Sequence, residues 1–429
     1  MPEFLRLSSP TTALETILHE LPDQKPVSEN INTFLALGRI LAEDVFSPHS
    51  LPEFPRSTVD GYAVIARDTF GASEAQPSYL NLIGEVPMGA APSFLLTSGS
   101  CALINTGGML PTGTDAVIML EYTQLVRNSS EGSGTIGRNE SSEIEISHSV
   151  AEGENVLHIG EDVVTGQVVL AGGTCVRPAE IGGCMALGIT ELYVAKKPKV
   201  GIISSGDEVI SPQIRPLPGQ VRDVNTYSLA ALVSQAGGEP VLYGIVPDKL
   251  DVLKNASTKA LAECDMVVIT AGSSASVRDI TSEAITSLGK PGILVHGVNV
   301  RPGKPTILAM CNGKAVFGLP GNPVSALVIA GLFVVPVIEK LLGAKAKTKP
   351  SVFARLTVNI PSQAGREDWV AVKLSEYGEW KNSGVHYIAE PVFGKSNLIF
   401  SLAIADGLLR IPPDATGLDA GELVEVFIL

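Results

Sequence analysis

VRPGKPTILAMCNGKAVFGLPGNPVSALV, residues 300–328, reads as a basic turn, two short apolar strands, a tight turn and the start of a helix. Arg301 and Lys304 bracket Pro302 and Gly303, so two cations stand beside a backbone that glycine lets another group approach closely. The run from Ala315 to Leu319 is apolar and of strand length. It ends in Pro320-Gly321-Asn322-Pro323. Asn322 is expected to cap a helix whose first residue is Pro323, where the missing N–H is no loss. Ser325 then falls in the first turn, among N–H groups without intrahelical partners. A helix N-terminus with two cations nearby favours an anion. On these residues alone, a proline-rich turn in a stable core is an equally good reading.

The stretch closes a longer pattern. From Lys199 apolar runs of strand length alternate with helical ones: KVGIISS, then a helix capped by Asn225 and stopped by Gly237-Gly238, then VLYGIV, a helix from 250 to 264, MVVITAG, a helix from 279 to 288, and AVFGL before the long final helix. Such alternation predicts a parallel, doubly wound α/β sheet. In that architecture ligands bind beyond the carboxyl ends of the strands. The loops gathered there carry Ser204-Ser205-Gly206-Asp207-Glu208, Pro247-Asp248, a serine-containing loop ending in Asp279, and the basic turn. Glu208, Asp248 and Asp279 form a set of carboxylates facing two cations, and a hard, oxygen-liganded ion such as Mg²⁺ suits them. Each acid taken singly is as well explained by a helix macrodipole.

The flanks differ in character. Residues 9–46 are expected to form two helices, the first capped by Ser9 with Pro10 at its first position and the second spanning about 27–45. Residues 51–146 read as short strands and turns, with a polar Gly/Ser-rich hairpin tip near 126–143. Ala179 to Leu187 is expected to be a short helix. Residues 343–350 read as a linker, and 350–429 as a β barrel or sandwich. The expected domains are thus 1–50 with 147–196 (mixed, partly helical), 51–146 (small β), 197–345 (doubly wound) and 350–429 (β).

A chain of 429 residues with net charge −14 exceeds one ordinary core. Its acidity argues against nucleic acid and against an anionic membrane surface as partners. The five cysteines, at 101, 175, 184, 264 and 311, show neither metal-ligand nor redox spacing, so reduced thiols in a cytoplasmic protein are expected. The start of the chain lacks a signal-peptide pattern. The apolar run from Val324 to Ile338 contains Pro336 and falls short of the roughly 20 residues of a membrane span.

RPGKP at 301–305 and GLPGNPVSA at 318–326 resemble the molybdenum-insertion family, the molybdopterin molybdenumtransferases typified by MoeA and the gephyrin E domain. The likeness extends to PRSTVDGYA at 55–63, TGGMLPTGTDAV at 106–117, NVLHIGED at 155–162, SSGDE at 204–208, GREDW at 365–369 and GKSNLIFSL at 394–402. Arg301 replaces a lysine usual in the family, Gly108 and Thr114 replace alanines, Leu157 replaces an arginine, and the 271–279 loop is shorter with Ser273 for a glycine. The resemblance implies insertion of molybdate into adenylated molybdopterin, with release of molybdenum cofactor and AMP and with Mg²⁺ assisting. It implies catalytic roles for Asp60, Thr106, Asp162, Glu208 and Asp248. Substrate contacts are implied for Ser274, Ser276, Arg301, Lys304, Pro320, Asn322, Pro323, Ser325, Arg366 and Ser396. Metal contacts are implied for Glu208, Asp248 and Asp279. An elongated homodimer is expected, with a molybdopterin adenylyltransferase and molybdoenzymes as protein partners. The rival readings are a molybdopterin adenylyltransferase and a non-catalytic scaffold of the same fold.

Overall fold

The structure, a computed structural model, describes residues 7–127, 142–271, 275–346, 348–376 and 386–429, with the side chains of Arg127 and of residues 275–279 outside the description. The predicted Gly/Ser-rich hairpin tip lies mostly outside the described residues. The chain forms two compact units, Met1–Glu43 with Gly172–Ile181 and Thr190–Leu429, and Asp44–Ala171 with Gly182–Ile189.

In the larger unit the first helix, Pro10–Glu20, begins as the sequence predicts. The Ser9 hydroxyl accepts from the Thr12 N–H at 3.1 Å, and Pro10 opens the helix. The second expected helix does not form. Ser28–Asn32 is instead a strand, paired antiparallel with Glu191–Ala195. The Asn32 carboxamide then accepts from the Phe34 N–H at 2.9 Å and starts a single 3₁₀ turn, Thr33–Leu35. Gly38, at φ +74°, prevents helical continuation. Pairing with a strand whose Leu192 and Val194 are buried outweighs the helical spacing: Leu35 and Leu37 stay exposed, whereas Ile40 and Leu41 are buried in extended backbone that bridges to Cys175 and Val194.

The central sheet has the order Glu239–Val246, Lys199–Ser205, Met266–Ala271, Lys314–Pro320, Ile307–Cys311, Pro291–His296. Its first four strands are parallel. Ile307–Cys311 runs against them, and Pro291–His296, antiparallel to it, closes the edge, so the expected parallel, doubly wound sheet carries an antiparallel extension. Asn312-Gly313, both at positive φ, make the two-residue turn that folds Ile307–Cys311 back on its neighbour, as an Asn-Gly pair favours. Alternation along the strands feeds two cores. Ile202, Met266, Val268 and Phe317 pack with Leu229, Val233, Phe333 and Val337. Ile203, Val267, Ile269 and Val316 pack with Leu253, Ala260 and Ile285 on the opposite face. Helices therefore cover both faces, as in a doubly wound fold.

The final helix of this domain runs from Pro323 to Leu341, α-helical at both ends with a π turn at Ala330–Val334. Pro336 has no N–H to give the carbonyl four residues earlier, and the wider turn before it absorbs that mismatch. At 19 residues the helix is longer than the sequence reading allowed, and by length and composition it suffices to cross a membrane. Ile329, Phe333, Val337 and Ile338 are instead fully buried in the protein core.

Beyond it, Glu367–Glu376, Tyr387–Pro391, Ser351–Leu356, Leu423–Ile428 and Gly407–Ile411 pair in that order, and the last returns to the first. This is a closed five-stranded barrel filled by Leu356, Val372, Leu409 and Val426. Val300–Arg301 adds to its wall in parallel with Glu367 and Asp368.

The smaller unit is built on a six-stranded sheet, Ala116–Met119, Gly61–Val64, Ser100–Ile104, Ser78–Glu85, Ser142–Ile146 and Thr123–Arg127. Gly61 is required there. A Cβ at this position would lie 1.9 Å from the carbonyl oxygen of Ile118.

Candidate functional site

The strand order reverses beside Lys199–Ser205, so the carboxyl edge opens there. Ser205 ends the strand, and its hydroxyl donates to Asp248 Oδ1 at 2.6 Å. The Asp248 N–H donates to Asp207 Oδ1 at 3.2 Å. Gly206 lets the Glu208 carboxylate lie against the backbone, since a Cβ would come 3.0 Å from Oε2. Glu208 and Asp248 thus share one edge with Asp207, which sequence reasoning passed over. Ser274 lies outside the described residues, as do the side chains of Ser276 and Asp279. The helix bearing the last two, Ala275–Thr286, starts earlier than expected, which puts Asp279 in its second turn.

Two helices beside this edge each correct an expected cap. Asn225 does not cap its helix. Asp223 does so, accepting from the Thr226 N–H at 3.1 Å, while the Asn225 carboxamide donates to the Gly321 carbonyl at 2.8 Å. Asn322 precedes its helix without a side-chain cap. Its amide donates instead to the Ser396 hydroxyl at 3.0 Å, and the Ser396 carbonyl accepts from the Val324 N–H at 3.0 Å. A loop of the barrel domain therefore occupies part of the helix end, and Ser325 sits buried one residue further on.

The basic turn is pressed onto the same helix. Gly303 has φ +121°, and a Cβ there would lie 2.3 Å from Ile329 Cγ1. Arg301 reaches Asp368 at 3.8 Å, and Arg366 binds the same carboxylate with Nε at 2.6 Å and Nη2 at 2.9 Å. Asp368 is buried, as is Glu367, whose oxygens accept from Trp369 Nε1 at 2.8 Å and from Arg410 at 2.7 Å. One buried acid thus orients both Arg301 and Arg366, and two cations share its single charge. Lys304 is exposed and takes part in no ion pair among the described residues. The acids of GREDW were legible as acids. That they anchor two arginines depends on the strand pairing at Val300–Arg301.

In the smaller unit, Asp60 and Thr106 are brought together. The Thr106 N–H donates to Asp60 Oδ1 at 2.7 Å and its hydroxyl donates to the same oxygen at 2.9 Å. These two donors, the backbone one foremost, hold the Asp60 carboxyl below the usual carboxylate range. Asp162 lies on a cleft of about 580 Å³ together with Glu161, Leu157 and Arg56. Arg56 was not singled out from the sequence.

The comparisons agree with this architecture. Residues 8–188 match the family described as MoeA N-terminal region (domain I and II), 201–340 the "Probable molybdopterin binding domain", and 354–429 the MoeA C-terminal region (domain IV). A molybdopterin molybdenumtransferase of Nostoc sp. is 34% identical over 416 residues, covering 95% of this chain and 90% of that one. One of Bacillus subtilis is 31% identical over 400 residues, covering 92% and 88%. The crystal structure of a MoeA protein from Pyrococcus horikoshii OT3 superposes with a TM-score of 0.82 at 33% identity, covering 99% of this chain and 100% of that one. Four segments of fold and sequence, the two-part N-terminal region, the doubly wound domain and the closed barrel, thus coincide in one order along one chain, and the chain belongs to the molybdopterin molybdenumtransferase (MoeA) family, transferases of molybdenum cofactor biosynthesis.

Proposed function

We propose that this chain inserts molybdate into adenylated molybdopterin and releases molybdenum cofactor and AMP. The observation that carries the reading is one anion-binding corner: the Gly321–Ser325 helix start, tied to Asn225 and Ser396, beside the Arg301–Lys304 turn held by Ile329 and Asp368. Lys304, the exposed cation of that turn, binds the oxyanion as a point charge, with Arg301 and Ser325 beside it. Pro320 and Pro323 fix the backbone on either side of Gly321 and Asn322. Arg366 and Ser396 hold the adenylate from the barrel side.

Mg²⁺ fits the acidic edge. This ion is commonly held by one or two carboxylates together with substrate phosphates. Glu208 and Asp248 supply that number, and Asp248 Oδ2 accepts no hydrogen bond among the described residues. Asp279 is the third ligand expected from the sequence. When bound, the ion offsets charge developing on the phosphate. Ser205 orients Asp248 for this purpose, and Asp207 fixes its backbone.

Asp60, Thr106 and Asp162 act, in this reading, on the site of a second copy in a two-fold homodimer. Closing a wet sheet edge with such a partner excludes water and strengthens the electrostatic contacts inside. The burial that pushes the Cys101 thiol up to about 12 and the Cys311 thiol up to about 11 keeps these groups inert, and a cytoplasmic location is part of this reading. Protein partners are a molybdopterin adenylyltransferase as donor and molybdoenzymes as acceptors. The deciding experiment supplies adenylated molybdopterin, molybdate and Mg²⁺ to the purified chain. AMP release that depends on molybdate supports insertion. ATP consumption with free molybdopterin in place of AMP release would favour the adenylyltransferase reading, and inertness in both assays a scaffold.

A further inference from the structure

The cleft of about 580 Å³ in the smaller unit has the size of a small-molecule site. Leu51, Pro52, Phe54 and Leu157 give it apolar walls, and Arg56 and Asp162 bring one cation and one carboxylate. The other two acids at its rim are engaged locally: Glu161 accepts from the His158 N–H at 2.7 Å, and Glu53 lies 3.3 Å from His49.

Arg56 is the unusual member. Its Nε is buried without a hydrogen-bond partner, and no ion pair among the described residues includes it. Its guanidinium instead faces the Phe54 ring, with Cζ 5.7 Å from the centroid. A buried donor left unsatisfied is costly, and an acceptor on a ligand relieves it. The backbone fixes where that acceptor would be. Arg56 stands directly opposite Leu157 in one ladder and bridges to Met109 on its other side. It therefore lies between the segment carrying Asp162 and the turn carrying Thr106, which binds Asp60.

We propose that Arg56 and Asp162 recognise the 2-amino-4-oxopyrimidine ring of a pterin. This deepens the functional reading above and rests on it. Such a ring offers an amino group and an N3–H along one edge and O4 with N5 along the next. A carboxylate accepts from the first pair. A guanidinium fork donates to O4 and, in the oxidised ring of unsubstituted pterin, to N5 as well, as arginine does to O6 and N7 of guanine; a reduced pterin carries a hydrogen on N5 and offers O4. Adenine carries an amino donor where the pterin carries O4, so the guanidinium would meet donor with donor. Of the two ring systems in an adenylated molybdopterin, the cleft selects the pterin.

The test titrates the full chain with unsubstituted pterin and follows its fluorescence. Saturable binding is expected, with guanosine competing and adenosine not. Arg56→Ala and Asp162→Asn should each weaken binding at least tenfold, and Leu157→Arg added to Arg56→Ala should restore part of it, because the two positions face each other across the ladder. Circular dichroism checks folding. Should Arg56→Ala misfold, Asp162→Asn decides, since that side chain is exposed. Absence of pterin binding, undiminished binding in the folded variants, or adenosine competing as well as guanosine overturns the proposal. A wild-type chain that binds pterin but inserts no molybdate sinks the functional reading alone. Active wild type with Arg56→Ala binding intact sinks this proposal alone.

Discussion

The amide of Asn322 donates to the hydroxyl of Ser396 at 3.0 Å, across 74 residues of sequence. This bond joins the helix start of the doubly wound domain to a loop of the barrel domain, and the Ser396 carbonyl reinforces it at Val324. Ser396→Ala should destabilise the chain by about 1 kcal/mol, the worth of a neutral hydrogen bond. Asn322→Ala with Ser396→Ala should cost less than the two single changes added, as residues sharing one bond do. Thermal unfolding of the four proteins measures this. Strict additivity would mean the bond contributes nothing of its own.

Lys304→Ala should raise the molybdate concentration for half-maximal cofactor assembly at least tenfold, or about 1.4 kcal/mol, with the unfolding temperature unchanged because the side chain is exposed. Lys304→Arg should keep most of the affinity, since the charge remains. Wild-type molybdate dependence in the alanine variant would place the oxyanion elsewhere.

Glu208→Gln and Asp248→Asn should each increase the Mg²⁺ required for AMP release, and excess chelator should abolish it in the wild type. Ser205→Ala should give a smaller shift in the same direction, because it loosens Asp248 without removing a ligand. Full activity in chelator rules out the metal.

The homodimer is tested by mixing two inactive chains, Asp60→Ala and Glu208→Ala. If Asp60 of one copy serves Glu208 of another, a mixed dimer holds one doubly defective site and one intact site, and activity partly returns. Verified mixed dimers without recovery would assign all the residues to one chain, and a monomer at assay concentration would remove the idea.

Glu180 gives a pH test of stability. Hydrogen bonds from the Arg177 side chain hold its carboxyl down at about 2, against roughly 4.3 for a glutamate in an unfolded chain. A depressed folded value means the stabilisation is complete above the unfolded value and is lost as pH falls through the folded one. The difference in melting temperature between wild type and Glu180→Gln should therefore be constant from neutrality to about pH 5 and shrink between about pH 4 and 2. A difference independent of pH across that window would show that the ion pair carries no weight.

Much of this was legible in the chain. Strand and helix alternation after Lys199, the cap at Ser9 and the stop at Gly237-Gly238 are local signals, and local signals survive folding. The misreadings share a cause in long-range pairing. Residues 27–45 carry helical leucine spacing, but Glu191–Ala195 recruits Ser28–Asn32 as a strand. The sequence reading assigns Pro291–His296 to no element, and it becomes a strand only because Ile307–Cys311 lies beside it. Asn225 has a capping side chain but spends it on Gly321, which no spacing rule reveals. At the site, the acids and cations were readable as types. That Asp368 steers Arg301 and Arg366, and that Arg56 faces Leu157, depends on strand register.

The pairing of Val300–Arg301 with Glu367 and Asp368 bears on how such chains are inherited. Two residues of the doubly wound domain are stitched into the barrel wall, and the charge of one of them is answered by a buried acid of that barrel. The barrel is thus held to its neighbour by more than the 343–350 linker. A chain cut there loses a sheet neighbour and its arginine's counter-charge together, a cost that any recombination at that linker meets.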